Sequence, residues 1–362
     1  MTQIEHVLNL PTQETIERVK NKIWRKSHSL NSVMGFERAV RQFVEYMEDN
    51  QKTYSLALQK PLQVLDDFAN WLDTDHAGAT TRTYIAMVKK LLLADGAVID
   101  HYRFREEVVL PKPRDFQDDK VNEEQIRSIV LAIKNQRLKC LLMLMKDTAA
   151  RPTEILGLRL RDFNLSHDPA YIVIPEHLAK NDLAREVFFT TETKNMVIAY
   201  LQDANVTKDT DYVFLKGEID TKDEKQFQRK LIQLGSQMVY IFRYEMQKPQ
   251  FKDLCTQVEK RGKAKRYKIH IYSFKKFAFT RIADELGELA AYAVKGDKEY
   301  ALTYYRKSRE ERAEDYRKII PKLSVFSLDE QSKIRKEVEQ AVRKLSDDDL
   351  ARLQKYLNTA NA

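Results

Sequence analysis

The sequence predicts a mainly α-helical protein with one small antiparallel β-hairpin or sheet, arranged as two units. Three observations predict it. Glycine and proline are scarce, nine of each in 362 residues, too few for a turn-rich β-sandwich or a glycine-rich nucleotide-binding sheet. Apolar residues recur at helical spacing through most of the chain. The period changes only at Tyr171-Ile-Val-Ile-Pro and Glu186-Val-Phe-Phe-Thr, short β-branched and aromatic runs that fit a hairpin. With 43% apolar and 10% aromatic residues, the chain can bury a sizeable core, and wholesale disorder is excluded.

Residues 1–14 have no period and are expected to be flexible. Residues 15–110 read as a four-helix unit. An early helix runs around Ile16 to Trp24. Phe36, Ala39, Val40, Phe43, Val44 and Met47 form one face of the next. Leu62, Leu65, Phe68, Trp71 and Leu72 mark a third, and Tyr84, Ile85, Val88, Leu91 and Leu92 a fourth. Two prolines in Leu110-Pro-Lys-Pro-Arg-Asp-Phe favour an extended linker over residues 111–120. Its Lys112 and Arg114 can track a phosphate backbone as well as link.

A second unit is expected over 121–325. Asn122 is an N-cap with Gln125 at the capping-box position. Ile126, Ile129, Val130 and Ile133 mark one helix, Leu138 to Met145 another, and Pro152 suits the first turn of a third. After the hairpin, helical patterning resumes at Thr193 and continues to the end. Residues 326–362 read as a charged helical tail, capped at Ser327 and Ser346. Its narrow apolar stripes suit docking on a partner or on the same chain.

Cys140 and Cys255 lack paired-ligand spacing, so neither a disulfide framework nor a cysteine zinc site is expected. The start lacks a basic region followed by an apolar one, and the run Cys140 to Met145 is too short for a membrane. A soluble cytoplasmic protein is the expectation. The net charge is +8 and the pI about 9.1, modest for this length. Its distribution is not diffuse. Residues 256–281 hold nine basic side chains and one acid, the whole excess, and the remainder is neutral. A segment of that kind suits a phosphate backbone.

The most informative stretch is Thr148-Ala-Ala-Arg-Pro-Thr-Glu-Ile-Leu-Gly-Leu-Arg-Leu-Arg-Asp162. Arg151 stands just before a helix start, where free backbone N–H groups and the dipole favour an anion. Its planar fork can grip a phosphate bidentately. Glu154, Ile155 and Leu158 would continue the helix.

This stretch resembles the first catalytic box of the tyrosine recombinase (phage integrase) family, of form T-G-x-R-x-x-E-[IL]-x-x-L-x-x-x-D. Thr148, Arg151, Glu154, Ile155, Leu158 and Asp162 match, and Ala149 stands where the family has Gly. Ile174-Pro-Glu-His-Leu-Ala-Lys180-Asn-Asp-Leu-Ala-Arg185-Glu is similar to the family's lysine hairpin, the archaeal integrases in particular. Lys180 would then protonate the leaving 5′ oxygen. The H-x-x-R box aligns with Tyr272-Ser-Phe-Lys275-Lys276-Phe-Ala-Phe-Thr280. Tyr272 occupies the His position and Lys275 the Arg position, with Lys276 following. His270, two residues earlier, would stand in for the histidine only through an altered strand end. Lys295-Gly-Asp297 keeps the next Gly and puts Asp297 in the place of a His. Ala301-Leu-Thr-Tyr304-Tyr305-Arg then supplies the nucleophile. The family form Y-[FY]-R favours Tyr304, and the count from Gly296 favours Tyr305.

The resemblance implies a helical DNA-clamping domain followed by an α+β catalytic domain. It implies strand transfer through a 3′-phosphotyrosyl link, with no metal and no cofactor. Arg151 and Lys275 would balance charge on the phosphate, Tyr272 would hydrogen-bond to it, and Lys180 would act as acid. The partners would be double-stranded DNA attachment sites and further copies of the chain, a tetramer held through the tail, with no membrane. Lys260, Arg261, Lys263, Lys265, Arg266, Lys268, Lys112 and Arg114 would touch the DNA. Two other functions remain open: a DNA-binding protein on this fold that has lost catalysis, and a type IB topoisomerase-like relaxing enzyme.

Overall fold

The computed structural model describes residues 10–112, 120–217, 223–255, 257–261, 264–296 and 306–326. The chain divides into two compact units, residues 1–117 with 257–266, and residues 118–256 with 267–362.

The first unit carries α1 (Gln13–Ser27), α2 (Leu30–Asp49), α3 (Tyr54–Gln59), α4 (Pro61–Asp73), α5 (Gly78–Ala94) and α6 (His101–Glu107). The helical stretch starts earlier than the sequence period suggests, because Thr12 caps α1 by accepting from the Thr15 backbone N–H at 3.2 Å. Six helices replace the four expected. The six residues of α3 are too few to set up a period, and α6 buries none of its side chains, so neither leaves an apolar stripe to read. The core gathers Phe36, Phe43, Tyr46 and Phe68. Asp95, just past α5, ties the helices together by accepting from Thr15 Oγ1 and from Tyr54 Oη at 2.7 Å.

The second unit is built around α8 (Gln136–Thr148), whose residues from Cys140 to Thr148 are all buried. Before it comes α7 (Glu123–Ala132), with the expected box: the Gln125 N–H donates to Asn122 Oδ1 at 2.8 Å, and the Asn122 N–H to Gln125 Oε1 at 3.1 Å. After it come α9 (Pro152–Leu156) and a three-stranded antiparallel sheet in the order β1 (Phe163–Asn164), β2 (Tyr171–Ile174), β3 (Arg185–Phe188). The expected hairpin is β2–β3, in the register Ile174 to Arg185 and Val173 to Glu186. The third strand is two residues long and sets up no alternation. The helix at Arg151 ends at Leu156 rather than running through Leu158, since Gly157 caps it.

Next come α10 (Thr191–Asp203), α11 (Glu224–Met246), β4 (Gln257–Arg261), β5 (Ala264–Tyr267), α12 (Ile271–Leu286), α13 (Glu288–Lys295) and α14 (Arg309–Leu323). The pair β4–β5 corrects the expectation of unbroken helix after Thr193. Gln-Val-Glu-Lys-Arg and Ala-Lys-Arg-Tyr are charged at successive positions, so no apolar alternation marks them as strands. The structure is mainly helical with small antiparallel elements, as the sequence predicts. No described helix is long and apolar enough to cross a membrane.

A buried ionic cluster fastens the far end of the second unit. Lys146 Nζ, wholly buried, meets Asp147 Oδ1 at 2.6 Å, Glu192 Oε1 at 2.8 Å and the Leu323 carbonyl at 2.7 Å. Glu192 in turn accepts from the Val325 and Phe326 N–H groups, each at 3.1 Å. Burial by itself would lower the Lys146 pKa, yet the two carboxylates hold it above the ordinary lysine value. Lys146→Met strands two buried carboxylates, which costs about 3–5 kcal/mol. A urea titration should show that loss, and a change below about 1 kcal/mol would contradict it.

Candidate active site

The site starts from the end of α8. Ala149 caps that helix with φ +51°, a left-handed conformation that glycine adopts more cheaply. This accounts for the Gly in the family box and marks the cost of Ala149. The reversal brings Arg151 to the N-cap of α9, with Pro152 at its first position, where no N–H is needed. Glu154 reaches back to this cap. Its Oε2 accepts from the Arg151 N–H at 2.7 Å, and its Oε1 from the Arg151 guanidinium at 2.9 Å. A second guanidinium, Arg185 at the start of β3, donates to Glu154 Oε2 at 2.7 Å and Oε1 at 3.3 Å.

Glu154 is 1% exposed and the Arg151 side chain 16%. Burial would raise the Glu154 pKa, but the charge and hydrogen bonds of Arg185, then those of Arg151, outweigh it and hold the carboxyl below the ordinary value.

The Lys180 turn joins β2 to β3, and Lys180 is exposed. Beside it, Asn181 Nδ2 donates to the Gly296 carbonyl at 3.0 Å. Arg185 Nε donates to the Val294 carbonyl at 2.9 Å. Gly296 is required twice over. Its φ is +69°, and a Cβ there would stand 2.7 Å from the Arg185 guanidinium carbon.

Next along the chain, α12 carries the second box. His270 is the N-cap of this helix, and its N–H donates to Ser273 Oγ at 3.1 Å. That corrects the altered strand end expected for His270: β5 closes at Tyr267, and His270 opens a helix. Its ring lies 6.3 Å from that of Tyr272. Tyr272 is 45% exposed and Lys275 7%. Lys276 is exposed. Partial burial raises the Tyr272 pKa, with the charge of Arg151 pulling it down and that of Glu154 pushing it up. Tyr272 therefore stands within electrostatic reach of the Arg151–Glu154 pair.

Asp297, Tyr304, Tyr305, Arg114 and Lys263 lie outside the described residues, as do residues 327–362. Lys260 and Arg261 fall on β4, Lys265 and Arg266 on β5, and Lys268 just beyond it. Lys112 is exposed at the end of the first unit's described residues. Arg281, counted in the basic segment, is ion-paired with Glu123. Among the described residues, no group of three or more His, Cys, Asp or Glu could hold a metal ion.

Sequence reasoning missed Arg185 and Glu186. Arg185 is buried against Glu154, whereas Glu186 accepts from Arg309 Nε at 3.1 Å and from Arg312 at 2.6 Å. An Arg at the start of a β-run reads as a surface residue, and only its buried acidic partner reveals otherwise.

The depressed Glu154 pKa has a stability consequence. A group lowered below its unfolded value, about 4.3 for Glu, contributes stability that is complete above that pH. The contribution is lost as pH falls through the lower folded value. Glu154→Gln should cost about 3 kcal/mol at pH 7. Its deficit relative to wild type should shrink below about pH 4. Denaturant titrations across pH would read this, and a deficit constant down to pH 2.5 would contradict it.

Residues 119–251 match the model of the Phage integrase family. The tyrosine recombinase XerA of Saccharolobus solfataricus is 26% identical over 174 residues, 46% of this chain and 56% of that relative's length. In structure, the chain is similar to the XerH site-specific recombinase bound to palindromic difH substrate (TM-score 0.51, 14% identity, 84% of this chain and 83% of that one). It is similar in the same degree to the Tn1549 transposon integrase in complex with transposon right end DNA (TM-score 0.51, 14% identity, 83% and 98%). These two carry the fold, and the sequence match places the segment 119–251 with the phage integrase family, the tyrosine recombinases.

Proposed function

We propose that this chain is a site-specific recombinase or integrase that cleaves and rejoins duplex DNA through a 3′-phosphotyrosyl intermediate. The observation that carries this is Arg151 held at a helix N-cap by the buried Glu154, within the family-matched segment and in electrostatic reach of Tyr272.

In this mechanism the Tyr304 hydroxyl gives up its proton to solvent and attacks the scissile phosphorus as the P–O5′ bond breaks. Lys180 gives its proton to the departing 5′ oxygen. Arg151 and Lys275 balance the charge that grows on the phosphate. Tyr272, whose raised pKa keeps it protonated at neutral pH, donates a hydrogen bond there and is no base. The 5′ hydroxyl of a second strand then attacks the phosphotyrosine, and the tyrosine leaves. The bond energy is stored throughout, so no nucleotide triphosphate is consumed. Tyr305 is the alternative nucleophile. One of the two adjacent tyrosines serves.

The ligand is double-stranded DNA at attachment sites; among the structural neighbours, XerH is bound to a difH substrate and the Tn1549 integrase is in complex with transposon right end DNA. Most affinity would come from phosphate contacts, and the basic segment at 256–281 supplies them. Residues 15–110 would form the DNA-clamping domain, 121–325 the catalytic domain, and 326–362 the tail through which copies assemble as a tetramer. Lys112 and Arg114 would follow the backbone between the domains. A second function, DNA binding without cleavage, is favoured by the burial of Lys275, since a phosphate must reach it.

The test is covalent trapping on a nicked suicide substrate carrying the chain's own attachment site. Tyr304→Phe should abolish the adduct and leave DNA binding intact. Arg151→Ala should reduce cleavage at least about 10²-fold. An active Tyr304→Phe with an inactive Tyr305→Phe would move the nucleophile by one residue. No adduct from wild type would leave the binding function alone standing.

A chain ending at Phe326 keeps the Glu192 anchor intact and should fold as wild type. It should assemble less well on DNA than it binds a single site. Unchanged assembly in a sizing experiment would remove the tail's proposed role.

A further inference from the structure

Lys180 is exposed at the tip of a turn, yet the residues on both sides of it are pinned. The turn spans 179–182 and closes with the Asp182 N–H donating to the Ala179 carbonyl at 3.2 Å. Ala179 is 7% exposed and belongs to the core of the second unit. Leu178 ends a single helical turn (Glu176–Leu178) and rests on Gly157. A Cβ on Gly157 would stand 2.6 Å from Leu178 Cδ2 and 3.0 Å from Cδ1. The φ of Gly157 is −89°, which any residue adopts, so glycine serves the close approach here and not the backbone angle. Gly157 caps the end of α9, the five-residue helix whose other end Arg151 caps. At about 1.5 Å per residue, α9 is a spacer of about 8 Å between Arg151 and the seat of Leu178. On the other side of Lys180, Asn181 Nδ2 donates to the carbonyl of Gly296, the C-cap of α13.

A lysine ammonium rides on a flexible four-carbon stem. A general acid is effective only where its proton is held within reach of the leaving oxygen, so the stem needs a fixed base. We propose that Gly157, Leu178 and Asn181 are positioning residues that pin the turn to α9 and α13, so that Lys180 stands at a set reach from Arg151 before DNA arrives. None of the three touches the reacting atoms. This role rests on the recombinase function above.

The test separates positioning from folding by changing the leaving group. In a suicide substrate with sulfur in place of the bridging 5′ oxygen, the P–S bond breaks and a thiolate departs. It needs no proton, because a thiol is far more acidic than an alcohol. A misplaced general acid then slows only the oxygen substrate, whereas partial unfolding or a displaced Arg151 slows both. The quantity read is the sulfur-to-oxygen ratio of adduct-formation rates, with the full-length protein. Lys180→Ala sets the scale, about 10²–10⁴-fold for a general acid.

Gly157→Ala should raise the ratio about 10-fold or more, because the new methyl drives Leu178 and the turn aside. Adding Leu178→Ala removes the three atoms nearest that methyl, and the double variant should fall back toward the wild-type ratio. A double variant as high as Gly157→Ala would overturn the role of the Gly157–Leu178 contact. Asn181→Ala should raise the ratio in the same way, and it decides the matter if Gly157→Ala does not fold. With Lys180→Ala raised, an unchanged ratio for Gly157→Ala or for Asn181→Ala would overturn that anchor, and unchanged ratios for both would overturn the positioning role alone. An unchanged ratio for Lys180→Ala would overturn the acid assignment and the positioning with it, and an inert wild type would overturn the recombinase function.

Discussion

The buried carboxylate of Glu154 is the constraint on which the rest of the site depends. A carboxylate at 1% exposure is costly unless its lone pairs and its charge are both met. Here two guanidinium groups and a backbone N–H meet them. The two arginines come from different elements, the N-cap of α9 and the start of β3, so satisfying one charge fixes one element against another. Arg151 thereby gains a set orientation without being fully consumed, since its side chain keeps some exposure while that of Arg185 keeps almost none. An arginine oriented in advance loses little further freedom when it meets a phosphate.

Much of this was legible in the sequence, for identifiable reasons. The long helices α2, α4, α5 and α8 bury faces wide enough to leave a period, and Asn122 with Gln125 announces a capped start. Arg151, Glu154 and Asp162 were readable because their spacing follows the local chain: a cap, its third helical residue and the turn beyond. What the sequence hid is long-range. Nothing near Arg185 indicates a partner at Glu154, and nothing near Glu186 indicates Arg309 and Arg312 more than 120 residues on. Other elements were hidden for local reasons: α3 is six residues long, α6 buries none of its side chains, and the β4 and β5 sequences carry successive charges rather than an apolar alternation.

The localised charge also gains a structural meaning. Among the described residues, Lys260, Arg261, Lys265, Arg266 and Lys268 fall on or just beyond β4 and β5, and Lys275 and Lys276 lie in the first turns of α12. Arg281 is set apart by its pair with Glu123. Within α12 the two lysines differ in kind: Lys276 is exposed, whereas Lys275 is buried. A buried ammonium carries a desolvation cost that a solvated one does not, so the two cannot be interchangeable sources of positive charge.

The end of α8 links these features to the C-terminal part of the unit. Lys146 and Asp147 occupy its last turn, and Arg151 follows only four residues after Asp147. The cluster that fastens Leu323, Val325 and Phe326 is thus built on the same helix end that delivers Arg151. Tyr316 of α14 also closes on the Asp147 carbonyl. Any rearrangement of the segment after α14 that loosened Lys146 would disturb the turn through Ala149, which already carries a left-handed backbone without glycine's freedom. Strain at that turn and burial of the ion cluster pull in opposite directions: the first favours relaxing the helix end, the second forbids it. The cluster is the stronger of the two, and Arg151 is held where it is because relaxation would uncover three buried charges to relieve one unfavourable backbone angle.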